Sequence, residues 1–383
     1  MKVLVIGGGL FGSSVASILA DKNVQVDLAE AEDDIMKMAS RINHNRIHLG
    51  YHYLRSIATA EQSIEGLLSF LFHFGNAVVY QFPNYYAIAK EGSKTTPSEF
   101  LNFCENVGIG YDEEIPGDNL LDPSSIEACF RVPEPIWDFF TLKKILKRKL
   151  ANPNINILLK TKCIGLKVLA DGKFEARLTT GIKSYDVVIN CTYSNINQIN
   201  SYLDIPPKKL LYEDVMIPVF KYPSAQFGLT VMDGPFCSVM PRGMRKNEFL
   251  LYHVKDSLLD TKLAMEKPEF PRLNITDDQL RAPGNIYDRS SFFMPFLKNV
   301  QLAGYNRTTR TVYENDDDAR LTELYTYEGL NNYFTILSGK VTTCIQVALE
   351  VKHILQGRRL KRRFKMAILL ISIKRCSDQR KTY

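Results

Sequence analysis

Apolar and polar positions along the first thirty residues follow two different periods. Residues 2–6 and 24–29 are mainly apolar runs, as in the strands of a buried parallel sheet. Between them, small and apolar side chains recur at helical spacing over residues 14–20. A glycine-rich turn separates the first run from this helix. The pattern therefore predicts a strand, a turn, a helix and a second strand, which together form a βαβ unit.

The turn has glycines at positions 7, 9 and 12, the G-x-G-x-x-G spacing of dinucleotide-binding proteins. Gly7 would allow the tight turn, Gly9 would let the backbone approach a pyrophosphate, and Gly12 would let the helix pack closely on its strand. The second strand ends at Glu30, whose carboxylate can accept both hydroxyls of an adenosine ribose. We therefore expect a nucleotide with a free ribose, which fits both FAD and NAD.

Further apolar runs predict two kinds of sheet in the rest of the chain. Residues 186–191 are almost uniformly apolar, as in a strand at the centre of a parallel sheet. Residues 211–254 contain short strands separated by Pro, Gly and Asp without intervening helices, which indicates an antiparallel sheet. A strand over 333–338 and a helix over 340–355 return to the first pattern. The predicted fold class is α/β, a Rossmann-like nucleotide-binding domain with a mainly antiparallel β substrate domain.

These patterns make the nucleotide-binding domain discontinuous. The expected ranges are residues 1–77, 141–204 and 301–356 for the nucleotide-binding domain, 78–140 and 205–300 for the substrate domain, and 357–383 for a basic tail.

Charge is concentrated in that tail, which has ten Lys or Arg and one Asp. The whole chain has a net charge of +6, so the other residues are mildly acidic and give no support to nucleic acid as a partner. Within the tail, residues 366–373 are mainly apolar and lie between basic clusters. This suits either peripheral contact with an anionic membrane or a solvated terminus, and the segment is too short to span a bilayer.

Seven cysteines are scattered along the chain without a C-x-x-C pair. This arrangement is typical of reduced cysteines in a cytoplasmic protein and predicts neither a disulfide framework nor a metal site. His44, His48 and His52 lie within nine residues, but Gly50 interrupts a helix there and no acidic residue accompanies them. We therefore expect no metal.

Three patches of the chain resemble the FAD-dependent D-amino-acid oxidase superfamily, which includes glycine oxidase, glycerol-3-phosphate dehydrogenase and L-2-hydroxyglutarate dehydrogenase. The first is the glycine motif with Glu30. The second is residues 45–54, NRIHLGYHYL, which resemble the segment beside the isoalloxazine ring. The third combines Arg310 and the acidic residues 316–318 with residues 337–343, LSGKVTT, which resemble the closing segment. The resemblance covers about residues 1–355 and implies a non-covalently bound FAD.

The resemblance also assigns roles to individual residues. Backbone groups at the start of the last helix would hold the pyrimidine edge of the flavin, and residues 40–41 would lie against the pyrophosphate. The residues assigned to the cofactor are Gly7, Gly9, Leu10, Phe11, Gly12, Glu30, Ser40, Arg41, Arg46, Ile47, His48, Cys163, Thr192, Gly339, Lys340 and Val341. The family's A-T-G turn is replaced by Cys191-Thr192-Tyr193, a departure that affects the local geometry beside the cofactor.

Two residues are candidates for catalysis. His48 could accept a proton from a substrate C–OH or C–NH group, or only pack around the cofactor. Arg310 matches the family's substrate-anion arginine, and its alternative partners are the acidic residues 316–318. Tyr51, Tyr53 and Tyr252 could line the substrate pocket or belong to the core.

The predicted function is oxidation of a small, anionic hydroxy- or amino-compound by hydride transfer to FAD. Two alternatives stay open at this point, an NAD-dependent dehydrogenase and a flavin-binding protein without turnover. The substrate and the electron acceptor are not determined by the sequence.

Overall fold

The computed structural model describes residues 1–117, 119–314 and 319–357, so the basic tail from residue 358 onward lies outside the described residues. The helices are α1 (Leu10–Leu19), α2 (Ile57–Phe74), α3 (Pro97–Val107), α4 (Phe139–Leu150), α5 (Ile196–Ser201), α6 (Asp277–Arg281), α7 (Ile286–Phe293) and α8 (Cys344–Leu355).

The strands, in chain order, are β1 (Lys2–Ile6), β2 (Gln25–Ala29), β3 (Val78–Val79), β4 (Asn84–Ala89), β5 (Asp112–Glu113), β6 (Ile126–Arg131), β7 (Ile136–Trp137), β8 (Ile155–Leu158), β9 (Cys163–Val168), β10 (Phe174–Leu178), β11 (Gly181–Tyr185), β12 (Val187–Asn190), β13 (Leu210–Lys221), β14 (Gly228–Met232), β15 (Cys237–Pro241), β16 (Glu248–His253), β17 (Leu258–Ala264), β18 (Gln301–Val312), β19 (Glu323–Tyr327) and β20 (Leu330–Leu337).

The first sheet has six strands in the order β19-β20-β12-β1-β2-β8. All neighbours are parallel except β19 and β20. Strand β12 lies between β1 and β20, and all four of its residues are buried. The helices α1 and α8 pack against each other beside this sheet. The predicted Rossmann-like unit, with a central strand before residue 191 and a closing strand and helix near the C-terminus, is therefore confirmed.

The second sheet has nine strands and is mostly antiparallel. Its order is β17-β13-β16-β15-β14-β4-β6-β5, and β18 pairs along β13. Strands β14 and β4 are parallel, whereas the other pairs are antiparallel. The strand Gln301–Val312 thus hydrogen-bonds to this sheet, although the sequence places residues 301–356 in the nucleotide-binding domain. The division of the chain into domains otherwise stays a prediction.

Two smaller sheets complete the fold. Strands β9, β10 and β11 form an antiparallel meander, and the turn between the first two contains Gly172 with a φ of +80°. Strands β3 and β7 form a short antiparallel pair. No helix among the described residues is long and apolar enough to cross a membrane.

Helix α4 begins at Phe139. Asp138 caps it, because its carboxylate accepts a hydrogen bond from the Thr141 backbone N–H at 2.7 Å. Asp122 is followed by a single 3₁₀ turn, Pro123–Ser125, which leads directly into β6.

Helix α2 packs closely against the 3₁₀ turn Val341–Thr343, which precedes α8. Gly66 makes this contact, since a Cβ atom there would lie 2.7 Å from the Thr342 carbonyl oxygen. The atoms nearest to this Cβ position belong to the backbone of Thr342 and Thr343, so they cannot rotate away from an added methyl group. The glycine therefore fixes the distance between α2 and the segment that opens the last helix.

We predict that Gly66→Ala destabilises the protein by about 1–3 kcal/mol, because the added methyl overpacks against backbone. Gly75→Ala at the end of the same helix is the matched control, since its φ is −53° and no atom lies within 4 Å of a Cβ there. The control is expected to be neutral or slightly stabilising. Chemical unfolding of both variants measures the difference, and equal stabilities would contradict the packing argument.

Candidate functional site

A cavity of about 1150 Å³ lies between the parallel sheet and the nine-stranded sheet. The glycine turn after β1 and the turn after β12 form one side of it. Residues from β13, β14, β16 and β18 form part of the opposite side. Its position at the carboxyl ends of β1 and β12 is where open α/β sheets bind their ligands.

The glycine turn has the geometry that the motif predicts. Gly7 has a φ of +101°, and a Cβ there would lie 2.7 Å from the Cys191 carbonyl oxygen. A Cβ at Gly12 would lie 1.9 Å from the Gly7 carbonyl oxygen, so helix α1 touches the turn directly. Gly9 is less confined, because a Cβ atom there would lie 3.1 Å from the Ser40 hydroxyl oxygen, which belongs to a side chain. The first and third glycines are therefore sterically required.

The N-terminus of α1 opens toward the cavity. Its N-cap is Gly9, and its first turn contains no acidic residue. The Leu10 N–H donates to the Ser40 hydroxyl at 2.9 Å, which places Ser40 at this helix terminus. Leu10 and Phe11 line the cavity beside it. Helix N-termini of this kind bind anions such as a pyrophosphate.

Glu30 also lines the cavity, at the end of β2. Its carboxylate accepts hydrogen bonds from the Gly8 N–H at 2.6 Å and from the Glu32 N–H at 2.8 Å. These contacts hold the carboxylate beside the glycine turn. The predicted binding of adenosine requires a carboxylate at this place beside the glycine turn.

Other predicted cofactor residues differ in where they lie. Cys163 and Thr192 line the cavity, and the Thr192 hydroxyl donates to Asn190 Oδ1 at 2.7 Å. Arg41 is exposed and does not line the cavity. Ile47 is fully buried in the core around α1, so its side chain does not face the cavity either.

Tyr193, which replaces the glycine of the family's A-T-G turn, keeps a left-handed backbone with a φ of +54°. Its hydroxyl accepts a hydrogen bond from the Thr311 N–H at 2.9 Å, and its side chain lines the cavity. The departure in sequence thus preserves the turn and adds an aromatic bridge from β12 to β18.

A buried ion pair anchors the segment of residues 45–54. Arg46 and Glu134 are 6% and 1% exposed, and Nη1 lies 3.5 Å from Oε2. Arg46 also donates to the Tyr86 hydroxyl at 2.8 Å and to Thr230 Oγ1 at 2.5 Å. Burial alone would raise the pKa of Glu134, but His48, Arg46 and Tyr86 hold it at about 2. The carboxylate is therefore ionised at neutral pH.

His48 lines the cavity next to this pair. Its Nδ1 lies 3.7 Å from Glu134 Oε1, and its ring centroid lies 5.4 Å from that of Tyr53. Burial and the charge of Lys340 lower the pKa of His48 to about 4, although Glu134 raises it. His48 is therefore neutral at pH 7.

Gly339, Lys340 and Val341 line the cavity between β20 and α8. A Cβ at Gly339 would lie 2.0 Å from the Arg320 carbonyl oxygen, so only glycine fits there. Lys340 Nζ donates to the Tyr53 hydroxyl and lies 4.0 Å from that ring's centroid. Burial, with a contribution from Arg46, lowers the pKa of Lys340 to about 7.

Arg310 projects from β18 into the cavity wall. Within the described residues, its partner is Glu213, the residue opposite it on β13, whose Oε2 accepts from Nε at 2.5 Å. The guanidinium also lies 5.7 Å from the ring centroid of Tyr252, which lines the cavity. The alternative partners at 316–318 lie outside the described residues.

Tyr51 does not line the cavity, in contrast to Tyr53. It is fully buried, packs on Tyr86 and Phe100, and donates its hydroxyl to the Gly110 carbonyl at 2.5 Å. Gly50, with a φ of +112°, precedes it in the turn. Tyr51 is therefore a core residue, and the substrate-binding prediction for it is wrong.

His44, His48 and His52 all line the same cavity. The rings of His48 and His52 lie 6.4 Å apart, and His44 lies 5.8 Å from Tyr252. Burial lowers the pKa of His52 to about 3 and that of His44 well below its usual value. The described residues contain no group of histidine, cysteine or carboxylate side chains arranged to hold a metal ion.

Sequence reasoning missed Glu134, Glu213 and the bridging role of Tyr193. Two signals were available. Glu134 stands between Pro133 and Pro135 within an otherwise apolar stretch. Glu213 lies, with Asp214, inside an otherwise mainly apolar strand. A carboxylate in either context needs a specific partner once it is buried.

The model of the FAD-dependent oxidoreductase family (DAO) matches residues 2–256. This chain therefore belongs to that family, and it is an enzyme with FAD as its cofactor. The residues present fit FAD, because the glycine turn, the N-terminus of α1 and Glu30 all line one cavity of about 1150 Å³. FAD, rather than NAD, is therefore the cofactor of this chain.

Relatives of known name agree with the family. The FAD-dependent monooxygenase kojA of Aspergillus flavus is 25% identical over 92% of this chain and 85% of its own length. The FAD-dependent monooxygenase FPY4 of Fusarium mangiferae is 24% identical over 62% of this chain, and the match spans 60% of its own length.

Solved structures share the fold. Glycine oxidase from Geobacillus kaustophilus superposes with a TM-score of 0.76 at 12% identity, covering 96% of this chain and 97% of its own. L-α-glycerophosphate oxidase from Mycoplasma pneumoniae, with FAD bound, gives 0.72 at 15% identity and covers 93% and 94%. These likenesses confirm the predicted α/β architecture.

We predict that Glu30→Gln weakens FAD binding roughly tenfold, because a charged acceptor for the ribose hydroxyls is lost. Glu65→Gln on the exposed side of α2 is the control and should bind FAD like the wild type. Fluorescence titration of flavin-depleted protein measures both affinities. An unchanged affinity in Glu30→Gln would remove Glu30 from the cofactor site.

Proposed function

We propose that this enzyme oxidises a small, anionic hydroxy- or amino-compound, for which bound FAD would supply the hydride acceptor. The main support for the proposal is a group of cationic side chains in the cavity wall. They lie where the 45–54 segment, β18 and the start of α8 surround the cavity. Arg46, Arg310 and Lys340 all line this region. In a partly buried cavity, cationic groups attract an anionic ligand far more strongly than they would in water.

Arg310 is the proposed anion clamp. Its Nε is taken by Glu213, and a planar guanidinium can present its terminal nitrogens to a second carboxylate or phosphate. The Glu213 contact and the Tyr252 ring would fix its orientation. A pre-oriented arginine binds an anion at a lower entropy cost than a freely moving one.

Lys340 is the second proposed cation. Its position beside Tyr53 places the amine in the cavity wall, and its lowered pKa means that it changes charge near neutral pH. Below pH 7 the ammonium form attracts an anionic substrate, and above pH 7 that attraction is lost. The affinity for substrate should therefore depend on pH.

His48 is the proposed proton acceptor. It is neutral at pH 7, as an acceptor must be, and it lines the same region as the cations. A substrate C–OH or C–NH group would give its proton to an imidazole nitrogen as hydride leaves the adjacent carbon. The charges of Lys340 and Arg46 make the ring a weak base, so proton and hydride departure should be closely coupled.

A second candidate is a monooxygenase reaction, favoured by the likeness to kojA over 92% of this chain. Such a reaction inserts one oxygen atom of O₂ and needs an external reductant for the flavin. The two candidate reactions differ in the compound that reduces FAD. The proposed substrate does so in the first, whereas a separate electron donor does so in the second.

Anaerobic mixing with a panel of small hydroxy- and amino-acids tests the first candidate. Bleaching of the flavin absorbance by an anionic member supports it. If no member bleaches the flavin while a reduced nicotinamide does, the monooxygenase candidate replaces it.

In the same assay we predict that Arg310→Met weakens binding of the active anion roughly 10- to 100-fold, because a charged hydrogen bond is lost. Arg307→Met is the matched control. Arg307 pairs with Asp214 between the same two strands but does not line the cavity. Equal effects of the two substitutions would refute the clamp.

We further predict that the affinity for the active anion falls as pH rises from 6 to 8.5, because Lys340 loses its proton near pH 7. A carboxylate ligand stays ionised throughout this range, so the trend reports the protein. Lys340→Met should bind weakly at every pH. Pre-steady-state flavin reduction at several substrate concentrations gives the affinities, and a flat wild-type profile would contradict this role.

A further inference from the structure

His48 meets a carboxylate that the proposed chemistry does not yet use. Glu134 lies in the segment between β6 and β7 and is 1% exposed. Its Oε1 lies 3.7 Å from His48 Nδ1, close enough for an ion pair or a polar N–H contact. Within the described residues, His48 Nδ1 is buried and has no hydrogen-bond partner. A small rotation of the His48 ring would bring Nδ1 within hydrogen-bond distance of Oε1.

The carboxylate itself is held firmly. Oε1 accepts the Leu49 backbone N–H at 3.0 Å, and Oε2 accepts the Tyr86 hydroxyl at 2.7 Å. Arg46 Nη1 lies 3.5 Å from Oε2. The backbone of the Glu134 segment is fixed as well, because its carbonyl accepts from Asn84 Nδ2 at 2.9 Å and the next carbonyl accepts from the Ile47 N–H at 3.0 Å. Glu134 is therefore a rigid reference point for the 45–54 segment.

We propose that Glu134 is a positioning residue that holds His48 in the tautomer with hydrogen on Nδ1, leaving Nε2 to accept the proton of the substrate. This inference rests on the proposed function of His48. A neutral imidazole has one donor and one acceptor nitrogen, and the partner of one nitrogen decides the state of the other. An ionised carboxylate accepts hydrogen bonds only, so it selects an N–H on the side that faces it.

Because of the other charges around His48, Glu134 acts by orienting the His48 ring and not by making it a strong base. The groups facing the ring are Glu134 from the segment before β7, Lys340 from the segment before α8, and Arg46, His44, His52 and Tyr53 from its own segment. Arg46 largely neutralises Glu134, so the carboxylate does not convert His48 into a strong base. Its effect is directional, since Oε1 faces Nδ1 and not the rest of the ring.

The proton transfer in this arrangement has one donor, the substrate, and one acceptor, His48. The substrate O–H or N–H bond breaks and its proton goes to Nε2, which gives an imidazolium with hydrogen on both nitrogens. Glu134 then accepts from Nδ1 as one partner of an ion pair. The carboxylate stays ionised, because its own pKa is about 2.

The test is ¹⁵N NMR of ring-labelled histidine in the FAD-bound, full-length enzyme without substrate, with His48 assigned by comparison with His48→Gln. At pH 7.5 the wild type should show His48 with hydrogen on Nδ1. Glu134→Gln should shift the population toward the Nε2–H tautomer and delay protonation of His48 on acidification, because the negative charge that favours the imidazolium is lost. An unchanged tautomer in Glu134→Gln would overturn the proposal.

Tyr86→Phe is the matched control, since it removes one hydrogen bond from Glu134 without changing its charge. It should leave the His48 tautomer as in the wild type, and a shift equal to that of Glu134→Gln would overturn the proposal in favour of general loosening. If Glu134→Gln does not fold, Glu134→Asp withdraws the carboxylate from Nδ1 and should give a smaller shift in the same direction. A wild-type tautomer in Glu134→Asp would also overturn it.

This experiment separates two kinds of failure. It uses no substrate, so the tautomer result stands whether or not an anionic compound reduces the flavin. If the tautomer shifts as expected but no substrate is found, the positioning contact holds and the proposed reaction fails. If a substrate is found and the tautomer does not respond, Glu134 loses its role and the proposed function is kept.

Discussion

The site depends on a buried ion pair that joins four separate stretches of the chain. Arg46 and Glu134 are almost completely removed from solvent, and such a pair stabilises a fold only if its remaining hydrogen-bonding capacity is satisfied. Tyr86 on β4 and Thr230 on β14 satisfy Arg46, while the Leu49 N–H satisfies Glu134. The 45–54 segment, which belongs to neither sheet, is thereby fixed to the nine-stranded sheet.

The same burial determines the electrostatics of the cavity. Lys340 and His48 each lose much of their hydration, so both groups favour their neutral forms more than they would in water. The charge of Arg46 adds to this effect on both. Arg46, which is itself paired with Glu134, thus favours the neutral forms of Lys340 and His48.

The parts of this structure that follow from local sequence were predictable. The turn at Gly7 and Gly12, the carboxylate of Glu30 and the opening of α8 after Gly339 each depend on a few consecutive residues. The parts set by contacts between distant residues were not. Glu213 becomes the partner of Arg310 only through the register of β13 with β18, and no short pattern encodes that register.

Tyr51 and Tyr53 show the same limit within one segment. Both are aromatic and two residues apart, which in a regular strand would place them on one side of the backbone. The positive φ of Gly50 and the turn that follows break this period, so Tyr51 enters the core and Tyr53 meets Lys340. The resemblance to a family assigned a role to the segment as a whole. It could not decide which ring faces the ligand.

The β13–β18 ladder explains how two similar ion pairs come to have different surroundings. Side chains alternate between the two faces of a strand, so Glu213 and Asp214 point to opposite sides, as do Arg307 and Arg310. Arg310 is directly opposite Glu213, and Arg307 reaches Asp214 diagonally from its partner position at Met216. Arg310 lines the cavity, whereas Arg307 does not. A shift of the register by one residue would exchange the two faces, so the pairing of carboxylates and arginines both fixes the ladder and decides which arginine can meet a ligand.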